Sequence, residues 1–248
     1  LSAKELFEEG LRVYMPVQQA VERGVCTSLS KDMVSRVDEA EVYWRAASDM
    51  GHAGAWYCMG NLLNKRKGDM AGAEKAYREC LKIVPSYPHA RFGLGAMLEG
   101  RGDIAGAEKA YRECLKIDPS QTGARYNLGR LLNQRGDKAG AEKAYRECLK
   151  IDPRHIDARC NLGGLLAEKG DMAGAEKAYR ECLKIDPSFT SAMINLPQIF
   201  LYEKRNYDQA ERLLRKALKL LPPNHPHADS VRQNLSYCLR QKANPAEH

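Results

Sequence analysis

The segment GDMAGAEKAYRECLKIVP, which begins at Gly68, recurs with one or two changes at Gly102, Gly136 and Gly170. The copies lie 34 residues apart, and a diverged fifth copy, NYDQAERLLRKALKLLPP, begins at Asn206. A constant period of this length decides the fold class. One unit is too short to bury its own apolar side, so successive units must stack, each packing on its neighbours. The composition agrees: 44% of residues are apolar but 29% are charged, enough for a thin continuous core.

Each cassette reads as a helix. Asp69, Asp103, Asp137 and Asp171 stand where a side chain would accept from the first free amides. Ala, Glu, Lys and Arg then dominate, all good helix formers. Tyr77, Leu81 and Ile83 predict a buried stripe. Glu74 with Arg78, and Lys75 with Glu79, are spaced four apart on the outer face. Pro85, Pro119, Pro153 and Pro187 end the helices. A second kind of helix lies between cassettes: ARFGLGAMLEGR from Ala90, ARYNLGRLLNQR from Ala124 and ARCNLGGLLAEK from Ala158. Gly95 with Ala107, Gly129 with Ala141, and Gly163 with Ala175 predict close contact between the two helices of a pair.

Trp56, Met59-Gly60, Ala73, Tyr77 and Pro85 follow the pattern by which the chain resembles the tetratricopeptide repeat (TPR) family. The resemblance implies an all-α fold, a right-handed α-solenoid of antiparallel helix pairs. It covers five repeats over residues 53–224. The first and fifth repeats each carry one extra residue. In the fifth, Pro197 replaces the close-contact glycine and predicts a kink. EVYWRAASDMGHAGAWYCMGNLL, from Glu41, resembles a Sel1-type repeat. Residues 1–52 are expected to form one irregular Sel1/TPR-like pair, with Pro16 kinking or splitting its first helix and an inserted loop over about Val25–Val34. HPHADSVRQNLSYCLRQK, from His225, reads as an amphipathic capping helix, so that residues 225–248 form the cap and tail, frayed from Ala243. PPNHPHADSVRQNL also resembles the repeat junction of kinesin-light-chain TPRs.

Eight cysteines invite a disulfide framework. Cys80, Cys114, Cys148 and Cys182, however, hold the same place in successive cassettes, hence in different layers. Helix-packing distances of about 8–10 Å exceed what a disulfide spans. They read as small buried apolar residues in a reducing, intracellular and cytoplasmic setting. No apolar run is long enough to span a membrane. The opening LSAKELFEEG is charged, unlike a signal peptide, and lacks an initiator Met, as a fragment or processed product would.

In TPR arrays the first helix of each pair lines the concave groove, and the resemblance carries that expectation here. The sequence adds its own sign, since the cassettes are near-copies while the first helices differ. Charge divides likewise. The cassettes are near neutral, and the excess that gives +7 overall lies in the first helices and the C-terminal part. A basic groove would favour acidic segments, unless Arg91, Arg125 and Arg159 merely lay their stems along a neighbour. Asn127, Asn161, Asn195 and Asn234 each precede a Leu at one repeat position, with Cys58 and Gly93 there in the first two repeats. An amide both donates and accepts, so such a row can pair with the backbone of an extended peptide, or with adjacent helices. It is similar to the asparagine rows of O-linked N-acetylglucosamine transferase and kinesin-light-chain TPRs. Tyr57, Phe92 and Tyr126 share a second position, and Asn61 and Arg130 a third; these would form side-chain pockets. A carboxylate-clamp set is missing apart from Asn61.

No nucleophile motif, phosphate loop or paired catalytic carboxylates stand out. His225 and His227 flank Pro226 in a loop, and zinc needs convergent ligands. The expectation is a non-enzymatic scaffold or adaptor without cofactor, metal or small-molecule substrate. It would bind an extended, acidic segment of another protein, within a larger complex. Two alternatives are an RNA-binding repeat, which the lack of basic residues interleaved with aromatics argues against, and a targeting module of a larger enzyme.

Overall fold

The computed structural model describes residues 1–22, 30–222 and 224–243, the side chains of Arg66 and Lys67 excepted. All regular structure among them is helical. Of the loop expected at Val25–Val34, residues 25–29 lie outside the described part, as do 244–248 of the expected frayed tail; Ala243 is the last residue of the final helix.

The chain forms two compact units, Leu1–Ala124 and Arg125–His248. The first holds α1 (Ala3–Glu22), α2 (Lys31–Asp49), α3 (Ala53–Leu62), α4 (Met70–Ile83), α5 (Pro88–Gly100) and α6 (Ile104–Ile117). Here α1 packs on α2, α3 on α4 and α5 on α6, and neighbouring pairs join through α2 with α3 and α4 with α5. The division falls near the start of α7 (Thr122–Gln134). The second unit continues with α8 (Lys138–Ile151), α9 (Ile156–Glu168), α10 (Met172–Ile185), α11 (Thr190–Tyr202), α12 (Tyr207–Leu220) and α13 (Ala228–Ala243). Pairs α9/α10 and α11/α12 stack through α10 with α11, and α13 packs against α12. The last helix therefore starts three residues later than its sequence suggests.

The cassette aspartates do cap their helices. Asp69, Asp103, Asp137 and Asp171 accept from the amides of Gly72, Gly106, Gly140 and Gly174 at 2.8–2.9 Å. Between the helices of a pair the chain turns at a left-handed glycine, Gly102 at φ 80° and Gly170 at φ 84°. There the amide of Asp103 reaches back to the carbonyl of Leu98 at 2.8 Å, closing the helix end.

The buried face of each cassette is narrower than its pattern suggested. Ala73, Ala76, Tyr77 and Cys80 are buried, Leu81 is half-buried, and Ile83, at the end of α4, is 43% exposed. Glu79 pairs with Lys82 at 2.7 Å. The small-residue contacts are also re-drawn. What leans on Gly95, Gly129 and Gly163 is the ring of Tyr111, Tyr145 and Tyr179, joined by Ala144 and Ala178 in the latter two.

The extra residue of the first repeat becomes a π-helical turn, Leu63–Lys67, between α3 and the left-handed Gly68. A single inserted residue widens one turn and leaves the helices either side in register. The fifth repeat absorbs its extra residue differently, with Arg205 left-handed at φ 48° and the Asn206 amide bonded to the carbonyl of Phe200 at 2.7 Å. Two prolines sit inside continuous helices: Pro16 does not split α1, and Pro197 lies buried within α11.

Candidate functional site

The sequence-predicted site residues all lie on the first helices of their pairs or, for Asn234, on α13, and all are half-buried. In the first unit, Tyr57, Asn61 and Phe92 meet around a cleft of 450 Å³, together with Tyr77, His89 and Gly93. Cys58 and Gly93 stand here in place of asparagine. Asn61 accepts from the Tyr77 hydroxyl at 2.7 Å. The Tyr57 ring lies 5.5 Å from Tyr87 and 6.0 Å from His89. Burial, with the neighbouring Cys80, Cys58 and Tyr57, pushes the Tyr87 phenol up to about 12.

In the second unit, the Asn161 amide donates to the Tyr126 hydroxyl at 3.4 Å and also faces Tyr145. Arg130 stands close to both phenols. Burial and Asp157 raise Tyr126, while Asn161 and Arg130 oppose the rise. Burial pushes Tyr145 up to about 12. Asn195 lines a second cleft, of 460 Å³, with Tyr179, Gln198, Tyr202 and Glu203. Asn234 accepts from the Tyr202 hydroxyl at 3.5 Å, and the Tyr202 and Tyr237 rings stack at 5.6 Å. Asn161 and Asn234 are thus partly engaged with tyrosines of their own chain.

Sequence reasoning missed the tyrosines. Tyr77 and Tyr179 read as core residues, which their rings are, but both line the clefts. The signal was available: an invariant tyrosine in otherwise small apolar positions needs somewhere to put its hydroxyl.

Depth re-sorts the charge. Arg91, Arg125 and Arg159, counted as the basic excess of the first helices, are paired with Glu113, Glu147 and Glu181. Arg91 also donates to the carbonyl of Pro85 at 2.7 Å. On the second helices the glutamates are tucked in, with Glu74, Glu108, Glu142 and Glu176 side chains 11–19% exposed. The cations of the same cassettes, such as Lys143, Arg146 and Lys150, are exposed. The near-neutral helices thus present exposed cations of their own, although Arg146 is paired with Glu142. Glu142 is held below the usual carboxylate range by Lys169 at 2.5 Å and Arg146 at 2.9 Å.

Burial pushes the thiols of Cys80, Cys114 and Cys148 up to about 11, and Cys58 to about 12. The seven cysteines among the described residues are all unbridged. Among those residues, no three His, Cys, Asp or Glu side chains are placed to hold a metal ion. Among the described residues, no helix is long and apolar enough to cross a membrane.

Helix pairs capped by Asp, turned by Gly and closed by Tyr against Gly recur through both units. The tetratricopeptide repeat pattern matches residues 66–122, 98–156 and 126–188 in overlapping stretches. The chain is a tetratricopeptide repeat protein. Solved TPR-type structures share its fold. YrrB is 20% identical with a TM-score of 0.61, over 81% of this chain and 97% of that one. PilF of Pseudomonas aeruginosa is 19% identical with a TM-score of 0.63, over 79% and 93%. MamA is 21% identical with a TM-score of 0.55, over 77% and 98%. At these identities the likeness to each is one of fold alone. No curated protein matches this TPR protein in sequence.

Proposed function

We propose that this TPR protein is a scaffold that holds an extended segment of another protein along the groove lined by its first helices. The observation that carries the reading is Asn195. Its amide is half-buried, meets no group of the described residues, and lines an open cleft beside Tyr179 and Tyr202. A partly desolvated amide without a partner is costly to leave unpaired. A peptide backbone offers it both a donor and an acceptor whatever the peptide's sequence. Asn127, Asn161 and Asn234 repeat its place in their own helices, and Tyr126 and Arg130 supply side-chain pockets in the same unit; in the first unit Tyr57, Asn61 and Phe92 line a pocket of their own. Asn161 uses one of its two amide hydrogens on Tyr126. The fold relative YrrB, described as a TPR protein with an unusual peptide-binding site, lends support by analogy.

An acidic character of the bound segment draws no support from the first-helix arginines. Arg91, Arg125 and Arg159 already have carboxylate partners.

Affinity purification with mass spectrometry would supply a partner, and titration of its binding segment would supply an affinity. Changing Asn127, Asn161 and Asn195 together to Ala should weaken binding by about tenfold or more, the cost of lost hydrogen bonds. Unchanged affinity in a variant of unaltered helicity would sink the asparagine row.

A further inference from the structure

The cassette tyrosine is the same residue in four copies, and its ring is buried in each, at 2%, 0%, 1% and 3% exposure for Tyr77, Tyr111, Tyr145 and Tyr179. What the hydroxyl meets differs. Tyr77 donates to Asn61 at 2.7 Å and Tyr111 to Glu99 at 2.9 Å, while Asn161 faces Tyr145. The Tyr179 hydroxyl makes no hydrogen bond among the described residues, yet it is not sealed off from solvent. It opens into the 460 Å³ cleft.

The opening has an identifiable cause. Gly164 holds the position taken by Asn61 in the first repeat and Arg130 in the third. A Cβ there would stand 3.5 Å from the Tyr179 hydroxyl, at ordinary contact distance. The missing side chain therefore leaves a slot ending on a phenol oxygen. The walls are Asn195, Ile199 and Tyr202, and the charged groups lining the cleft are both carboxylates, Glu168 and Glu203. Glu168 pairs with Lys138 at 3.1 Å. Glu203 is exposed and has no partner among the described residues.

We infer that this cleft is a specificity pocket for a lysine or arginine side chain of the bound segment. The apolar stem would lie against Ile199 and the Tyr202 ring. The cationic head would donate to the Tyr179 hydroxyl and to the Glu203 carboxylate, a charge-assisted contact beside an aromatic face. An acidic side chain would meet two carboxylates and no cation lining the cleft. The inference rests on the peptide-binding reading above and names one residue type that the segment would carry.

The test is selection of peptides from a phage-displayed library of random linear sequences on the whole protein, followed by titration of a selected peptide. Lys or Arg should dominate one position. Gly164→Asn, which restores the side chain natural at position 61, and Glu203→Gln should each weaken that peptide by about tenfold, as loss of a hydrogen bond to a charged group does. Both variants should bind alike a peptide with the basic residue replaced by norleucine, and circular dichroism should report unaltered helicity. Selected peptides without a basic preference, or full affinity in Gly164→Asn, would overturn the pocket and leave peptide binding standing. Failure to select any peptide would overturn both.

Discussion

The ring of Tyr145 rests on Gly129, where an added Cβ would come within 2.8 Å of it. Both residues are buried, so neither can step aside. Gly129→Ala would gain about 1 kcal/mol of helix propensity and lose about 1–3 kcal/mol to overpacking, for a net loss of stability. Gly100, at the end of α5, has nothing within 4 Å of its Cβ position, and Gly100→Ala should stabilise. Denaturant titration of the two variants should move the midpoint in opposite directions; a shared direction would contradict the packing described.

Glu142 ties the second helix of one repeat to the end of the next repeat's first helix through Lys169, and Arg146, one turn on in its own helix, shares the carboxylate. Its carboxyl is depressed, so its contribution is present above the unfolded carboxylate range and fades as the pH falls through the depressed value. Glu142→Gln should cost about 1 kcal/mol or less at neutral pH, as partly exposed ion pairs do. The wild type and the variant should converge in acid. A difference that persists at low pH would mean that the pair acts through packing instead.

The cassette thiols supply an alkaline limit. Cys80, Cys114 and Cys148 have folded values near 11 against an ordinary thiol range near 9. A raised acid is stabilising as the thiol, so the contribution is intact below the unfolded value and is lost as pH rises through the window from about 9 to about 11. Thermal melts should fall across that window, and fall less when the three cysteines are Ala. Thiol reagents should label them slowly in the folded protein and quickly in denaturant.

The π-turn Leu63–Lys67 makes a sharper structural test. Deleting Lys65, an exposed residue within it, gives Gly60 and Gly68 the spacing of Gly95 and Gly102. The expected outcome is an ordinary helix running to Gly68, with helicity and a cooperative melt retained. Loss of the cooperative transition would show that the inserted residue is required for folding.

The helices were legible because cap, periodicity and terminator agree at each copy: Asp103 before Ile104, the small face of Ala107 and Ala110, Pro119 beyond Ile117. Side-chain depth was less so. Ile83 has the right spacing for burial but falls in the last turn, where the chain leaves its neighbour. The charge count placed cations on the first helices correctly. It could not register that Arg91 finds Glu113, 22 residues further on, because that pairing exists only once two helices are packed. Nothing in the sequence sets Gly164 apart from the glycine before it. Only with Tyr179 in place does the same absence of a side chain read as an entrance.

The helices α4, α6, α8 and α10 are identical from their second residue onward. Any first helix therefore finds nearly the same docking surface on four different partners. During folding, a one-repeat slip would forfeit little local contact energy, and the correct order must be chosen by what is unique: the π-turn near one end, Pro197 and α13 near the other. The ends of this chain thus set the register that its middle leaves degenerate, and refolding after truncation at either end should populate misaligned, slowly correcting species.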